Sequence, residues 1–204
     1  PGRFVVYWMQ QSQRSDWNHA LEYAIQQANA SRLPLVVFFG LTPTYPKANR
    51  RHYHFMLEGL VETRENLKSR GIKMIVRIGD PCESILDVAR SATAVVVDAG
   101  YLRIQRQWRR DVASKITCPL VQVETDAIVP IAAASGKEEF AAATLRPKIL
   151  RLLDEFLIPI TPLPLIKDSL GLRLASEDIS DPLAVVKRLG VDSSVKEVRW
   201  LRGG

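Results

Sequence analysis

The chain is poor in the residues that make metal sites and covalent scaffolds. Its 204 residues hold two cysteines, Cys82 and Cys118, with no CxxC spacing, and three histidines, His19, His52 and His54. A disulfide framework or a zinc ribbon is excluded on those counts, no metal site is expected, and a reducing cytoplasmic location follows. His52 and His54 lie two apart in a helical pattern, so they point to different faces and form no i,i+4 ligand pair. No apolar run approaches the roughly 20 residues that span a bilayer, and the start lacks a charged segment followed by an apolar one. No membrane association or export signal is therefore expected. The Pro-Gly-Arg start without a methionine reads as a trimmed amino terminus.

The motif inventory is equally bare. There is no GxGxxG after a strand, no GxxxxGK[ST], no HExxH, no GxSxG and no deaminase-type pairing of HxE with PCxxC. No catalytic residue is assignable from spacing. A phosphate-binding hydrolase of the adenine-nucleotide type is disfavoured, because phosphates seek the backbone amides of a glycine-rich loop at a helix start.

What is present is an α/β alternation. Hydrophobic residues make up 47% and charged residues 25%, enough to bury one full core. Strands are predicted at Phe4–Trp8, Leu35–Phe39, Met74–Ile78, Ala94–Asp98 and Leu120–Val123. Between them, helical spacing recurs at Leu21, Ala24, Ile25 and Ala28, with Ser15 or Asp16 as the cap, and again from Asn49 to Arg70. Asp80-Pro81-Cys82-Glu83 carries an N-cap, a proline at the first helical position and a capping-box glutamate. Another helix is predicted from Arg103 to Lys115. The fold class is a doubly wound, five-stranded parallel sheet of Rossmann-like type, over 1–157. A helical run is placed at Pro147–Leu157, with Ile149, Leu152, Leu153 and Phe156 at core spacing. Prolines then break the pattern, and 158–204 reads as a linker with one short helix, Pro182–Leu189, between Asp181 and Gly190.

The net charge is +6, which favours polyanionic partners. Arg103, Arg106 and Arg110 share one helix face, a stripe suited either to phosphates or simply to water. Ligands of doubly wound sheets bind beyond the carboxyl ends of the strands. Trp8 and Trp17, near the first such end, are suited to stack on a planar ring or to fill the core.

Five ordered blocks resemble class II DNA photolyases. They are Tyr7-Trp8-Met9-Gln10 with Ser12, Gln13 and Arg14; Arg51-x-Tyr53-x-Phe55-Met56-Leu57-x-Gly59-Leu60; Asp98-x-x-Tyr101-Leu102-Arg103 with Trp108; Val123-Glu124-x-Asp126-x-x-Val129-Pro130; and Ala134-Ser135-x-Lys137-x-Glu139-Phe140-Ala141-Ala142 through Arg146-Pro147. The resemblance implies an amino-terminal α/β antenna domain joined by a linker to a helical domain. In the family, that helical domain binds FAD and splits cyclobutane pyrimidine dimers in UV-damaged DNA by light-driven electron transfer. A deoxyribodipyrimidine photo-lyase is implied for the parent protein, and no repair by these residues alone. The antenna cofactor of such a domain is a deazaflavin, a folate or a flavin. Topology and resemblance together place it against Trp8, Met9, Gln10, Gln11, Arg14, Phe39, Gly40, Asp98, Ala99 and Tyr101. Arg103, Arg106 and Arg110 would face DNA or the helical domain. A stand-alone chromophore-binding or interaction module remains the alternative.

Overall fold

The computed structural model describes residues 2–198 and 200–204, so Pro1 of the Pro-Gly-Arg start lies outside it. Five strands, β1 (Phe4–Met9), β2 (Leu35–Leu41), β3 (Lys73–Ile78), β4 (Ala92–Asp98) and β5 (Leu120–Val123), form one sheet in the order β3-β2-β1-β4-β5. Every pairing is parallel. All six β1 residues are buried, because helices cover both faces of the sheet. Side chains alternate between two cores. Val5, Tyr7 and Met9 meet Val37 and Phe39 beneath α1 (His19–Ser31) and α2 (Arg50–Ser69). Phe4, Val6 and Trp8 meet Phe38, Val95 and Val97 beneath α3 (Pro81–Ala89) and α4 (Arg103–Ala113). Chain order reverses between β1 and β4, so the segments that follow these two neighbours leave toward opposite faces and open a crevice at their carboxyl ends.

Local details differ from expectation in three places. Asn18, not Ser15 or Asp16, caps α1: its side-chain oxygen accepts from the Leu21 N–H at 2.9 Å, while its NH2 donates to the carbonyls of Ser12 and Arg14. A buried amide with both a donor and an acceptor end can close the loop and cap the helix at once, which a serine or an aspartate here does not. β2 runs past the expected end at Phe39, through Gly40, paired with Arg77, to Leu41. A Cβ at Gly40 would sit 2.8 Å from the Cβ of Pro81, so glycine is required there by the close approach of the α3 start.

The third difference concerns α6 (Ala142–Phe156), which follows the short α5 (Ile131–Ala134) and starts five residues before Pro147. Pro147 is therefore inside the helix and leaves one backbone bond unmade. The alanine-rich first turn favours helix strongly enough to absorb that loss. No residue of α6 is fully buried, and Ile149, Leu152, Leu153 and Phe156 are only half-covered, because the helix packs chiefly on α5. A latch holds its start. Lys148 donates to Glu139 and to Ser135, and Ser135 donates to Glu139 at 2.7 Å. The Lys148 hydrogen bond, followed by those of Ser135 and Thr144, lowers the Glu139 carboxyl from 4.5 to about 2. A depressed folded value means the latch stabilises the fold above pH 4.5 and is lost as pH falls toward about 2. Carboxyl NMR titration is expected to place Glu139 well below its neighbours, with α6 amides losing protection in that window; a Glu139 that titrates at its ordinary value would contradict the latch.

Residues 158–191 run back along the sheet. Ser169 Oγ and Ser176 Oγ accept from the Lys73 and Val76 N–H groups, and the Glu177 N–H reaches the Val76 carbonyl. The free edge of β3 is thereby covered, as exposed strand edges must be. Ile179 and, from α7 (Pro182–Leu189), Val185 and Val186 complete the first core. Asp181 and Gly190 bound α7 as its sequence signals require.

Candidate functional site: a cavity at the strand ends

The crevice holds a cavity of about 1010 Å³. Its floor is the carboxyl ends of β1 and β2, and its rim comes from the β2–α2 loop, the first turns of α2 and the start of α4. Eight of the ten expected residues line it: Trp8, Met9, Gln10, Gln11, Arg14, Phe39, Gly40 and Tyr101. They do so unequally. Trp8 is 1% exposed and belongs to the core, bordering the cavity only by its edge. Met9 and Phe39 are likewise core residues. Tyr101, 41% exposed, stands on the rim, and burial followed by the nearby Glu124 carboxylate raises its phenol above the ordinary value.

Asp98 and Ala99 are not in the wall. Ala99 faces a second cavity of about 720 Å³, between α4 and α5. Asp98 is fully buried behind the wall and carries it. Its carboxylate accepts from the backbone N–H groups of Gln10 at 2.7 Å, Gln11 at 2.6 Å and Ser12 at 2.9 Å, with the Tyr7 hydroxyl at 3.4 Å. Burial raises its carboxyl above the ordinary value, opposed by the three N–H donors, of which Ser12 acts most strongly. Burial, followed by the Asp98 charge, also pushes the Tyr7 phenol far up.

Arg14 is committed elsewhere. Its guanidinium donates to the Trp17 and Thr125 carbonyls at 3.1 and 2.7 Å and pairs with Asp126 at 3.6 Å. Ser12 donates to the same Asp126. Arg14 therefore clamps the β1–α1 loop to the chain after β5, and its donors are largely spent before any ligand arrives. Trp17 takes a positive φ of 49° and points to solvent, away from the stacking role open to it in the sequence.

Sequence reasoning missed the opposite wall. Tyr45, Lys47, His52, Phe55 and Gln105 line the cavity, and Tyr45 meets Trp108 edge-on with centroids 6.1 Å apart. Tyr45 sits in a proline-rich loop, Phe55 lies off the apolar face of its helix and is half exposed, and Trp108 falls on a helix face that reads as packing. Among the described residues the wall contains Arg14, Lys47 and His52 but no aspartate or glutamate side chain. Aromatic edges, amides and the Arg14 and Lys47 side chains, without an acidic side chain, suit a planar, acceptor-rich or anionic ligand.

The exposed Arg103, Arg106 and Arg110 line a separate groove of about 700 Å³ between α3 and α4. Asp80, Glu83 and Asp111 share it, so its charge is mixed. Cys82 lies in the same groove, where burial first, and then Asp80, push its thiol up to about 12. No group of three or more His, Cys, Asp or Glu side chains among the described residues is placed to hold a metal ion. No described helix is long and apolar enough to cross a membrane.

A five-stranded parallel sheet with helices on both faces and an aromatic-lined cavity at its strand ends defines a Rossmann-like α/β fold. The sequence pattern of DNA photolyases matches residues 5–167, and the chain belongs to the DNA photolyase family. A deoxyribodipyrimidine photo-lyase of Methanothermobacter thermautotrophicus is 49% identical over 176 residues, 86% of this chain and 40% of its own. The corresponding protein of Potorous tridactylus is 35% identical over 203 residues, covering 98% of this chain and 38% of its own. The chain thus spans about two-fifths of the length of these relatives. An archaeal photolyase from Sulfolobus tokodaii, solved with two FAD molecules, shares the fold at a TM-score of 0.73 and 14% identity, over 98% of this chain and 44% of that one.

Proposed function

We propose that this chain is the antenna-chromophore-binding α/β part of a class II cyclobutane pyrimidine dimer photolyase, a cytoplasmic enzyme of light-driven DNA repair. The observation that carries the proposal is the cavity at the β1–β4 switch point, whose wall holds Tyr45, Phe55, Tyr101, Arg14 and Lys47 and, among the described residues, no aspartate or glutamate side chain. Three of the five sequence blocks that resemble class II enzymes meet in the network that builds this wall. They are the segment around Gln10–Arg14, the segment at Asp98 and the segment at Thr125–Asp126.

When bound, a planar chromophore would absorb light and pass the excitation to a catalytic FAD held elsewhere in the enzyme. The chain's own task is to hold that ring. Tyr45, Phe55 and Tyr101 offer aromatic surface, Gln11 offers an amide, and Lys47 offers positive charge. A deazaflavin, a folate and a flavin all meet that description, and the second FAD of the Sulfolobus tokodaii protein, for which a light-harvesting role is implied, favours a flavin. On this reading residues 1–157 form the antenna domain, and 158–204 lead to a helical domain that holds FAD and the lesion. Arg103, Arg106 and Arg110 then face DNA or that domain.

The decisive experiment is the absorption spectrum of the purified chain, with any released pigment identified by mass spectrometry. A bound deazaflavin, folate or flavin is expected, or uptake of one from solution. A colourless chain that takes up none of them overturns the proposal. Dimer repair under light by this chain with added FAD would overturn the division of labour.

A further inference from the structure

The β2–α2 loop meets the cavity through a tight turn. Tyr45, Pro46, Lys47 and Ala48 all line the wall, and the Ala48 N–H donates to the Tyr45 carbonyl at 3.1 Å, closing the four residues on themselves. Proline at the second position and a positive φ at the third, 60° at Lys47, mark a type II turn. That third position favours glycine, because a side chain there crowds its own backbone. A lysine occupies it instead. The turn is firmly anchored: the Tyr45 N–H donates to the Tyr53 hydroxyl at 3.2 Å, and that hydroxyl donates to the Thr42 carbonyl at 2.7 Å. The Tyr45 ring adds its edge-on contact with Trp108. Backbone strain of this kind persists only where the surroundings impose it, and it gathers at ligand sites.

The charge carried on this turn is uncommitted. Arg14, the wall's arginine, is tied to the Trp17 and Thr125 carbonyls and to Asp126, whereas no hydrogen bond or ion pair among the described residues holds the Lys47 ammonium. The wall offers it no aspartate or glutamate either. We propose that Lys47 binds an anionic arm of the ligand, a phosphate or carboxylate group that hangs from the ring and reaches the cavity rim. The inference rests on the antenna reading and narrows it from any planar chromophore to one that carries such an arm. A compact charge on a flexible four-carbon stem can follow an arm that is less fixed than the ring. Lys47 is exposed, so water and salt screen the pair, and the preference it confers is moderate and salt-dependent.

The test compares Kd values of the chain for paired probes that share a ring and differ in the charge of the arm: riboflavin and FMN, deazariboflavin and its phosphate ester, folate and its dimethyl ester. Wild type is expected to hold the charged member of at least one pair about tenfold more tightly at about 50 mM salt, and only about twofold more tightly at about 0.5 M. A preference within the flavin or deazaflavin pair identifies a phosphate arm; one within the folate pair identifies a carboxylate arm. Lys47→Gln is expected to bring the two members within about twofold of each other while leaving the Kd of the uncharged member unchanged. Lys47→Gly is expected to do the same with Tm held or raised, by up to about 2 °C, because the turn loses its strain. Equal wild-type affinity for charged and uncharged members, an undiminished preference in Lys47→Gln, or a lowered Tm in Lys47→Gly overturns the inference and leaves the antenna reading intact. A wild-type chain that binds none of the probes overturns both.

Discussion

Trp8→Ala is expected to cost about 4 kcal/mol of unfolding free energy, within the ~3–5 kcal/mol seen for large aromatic truncations in cores. Trp8 is 1% exposed in the central strand, in register with Phe38 of β2 and Val97 of β4 on the same core face. Both sheet neighbours would face a void that the surrounding strands cannot close without breaking their pairing. A domain with ~5–15 kcal/mol in total has little to spare. For a chain of this size the loss corresponds to roughly 8–16 °C in Tm. Urea and thermal unfolding of the variant measure it directly. A midpoint within 2 °C or so of wild type would mean that the indole is not the core plug its burial implies. The same result governs how the cavity is probed. A pigment lost from Trp8→Ala reports a loosened sheet, so ligand contacts have to be tested at exposed Tyr101 instead.

How far the sequence could be read depended on the range of the interaction involved. Strands β1 to β5 and helix α7 were legible because their signals are local: apolar runs bounded by Gly and Pro, and Asp181 and Gly190 at fixed offsets. The α6 start was misplaced because Pro147 is a local stop signal that an alanine-rich turn outweighed. Asn18 escaped notice because its capping role depends on closing a loop back to Ser12 and Arg14. The site was half legible for the same reason. Topology points to the strand ends, and eight of the ten residues proposed on that basis line the cavity. What each one does there is set by contacts across about a hundred residues, such as Arg109 to Gln10 and Arg14 to Thr125. Arg14, free in the sequence, is spent in the fold. Asp98, a candidate ligand contact, supports the wall from behind.

Asp98 is the second position where a single change should have a large effect. Its two oxygens accept three backbone N–H groups from consecutive residues, Gln10, Gln11 and Ser12, at 2.6–2.9 Å. Three successive amides aimed at one point bend the chain sharply out of β1, and a carboxylate with four lone-pair sites on two atoms is the side chain that can receive them all. Asp98→Ala leaves those donors facing a small apolar gap. At ~1–3 kcal/mol for each unmet donor, softened by whatever water enters, a loss of about 4 kcal/mol is expected. Asp98→Asn is the sharper test. One oxygen must serve where two did, and the new NH2 group is forced against at least one N–H donor, so about 2–3 kcal/mol should go with almost no change in volume. Urea unfolding gives the stabilities, and amide hydrogen exchange at Gln10 to Ser12 gives the location: those protons should lose protection in both variants before the centres of β1 and β2 do. Because Gln10 and Gln11 form the cavity wall, ligand affinity should fall alongside, even though Asp98 touches no ligand. If Asp98→Asn unfolds like wild type and keeps these amides protected, the turn is held by the Asn18 and Arg14 contacts alone, and Asp98 would have to be reassigned from supporting the wall to merely filling space behind it.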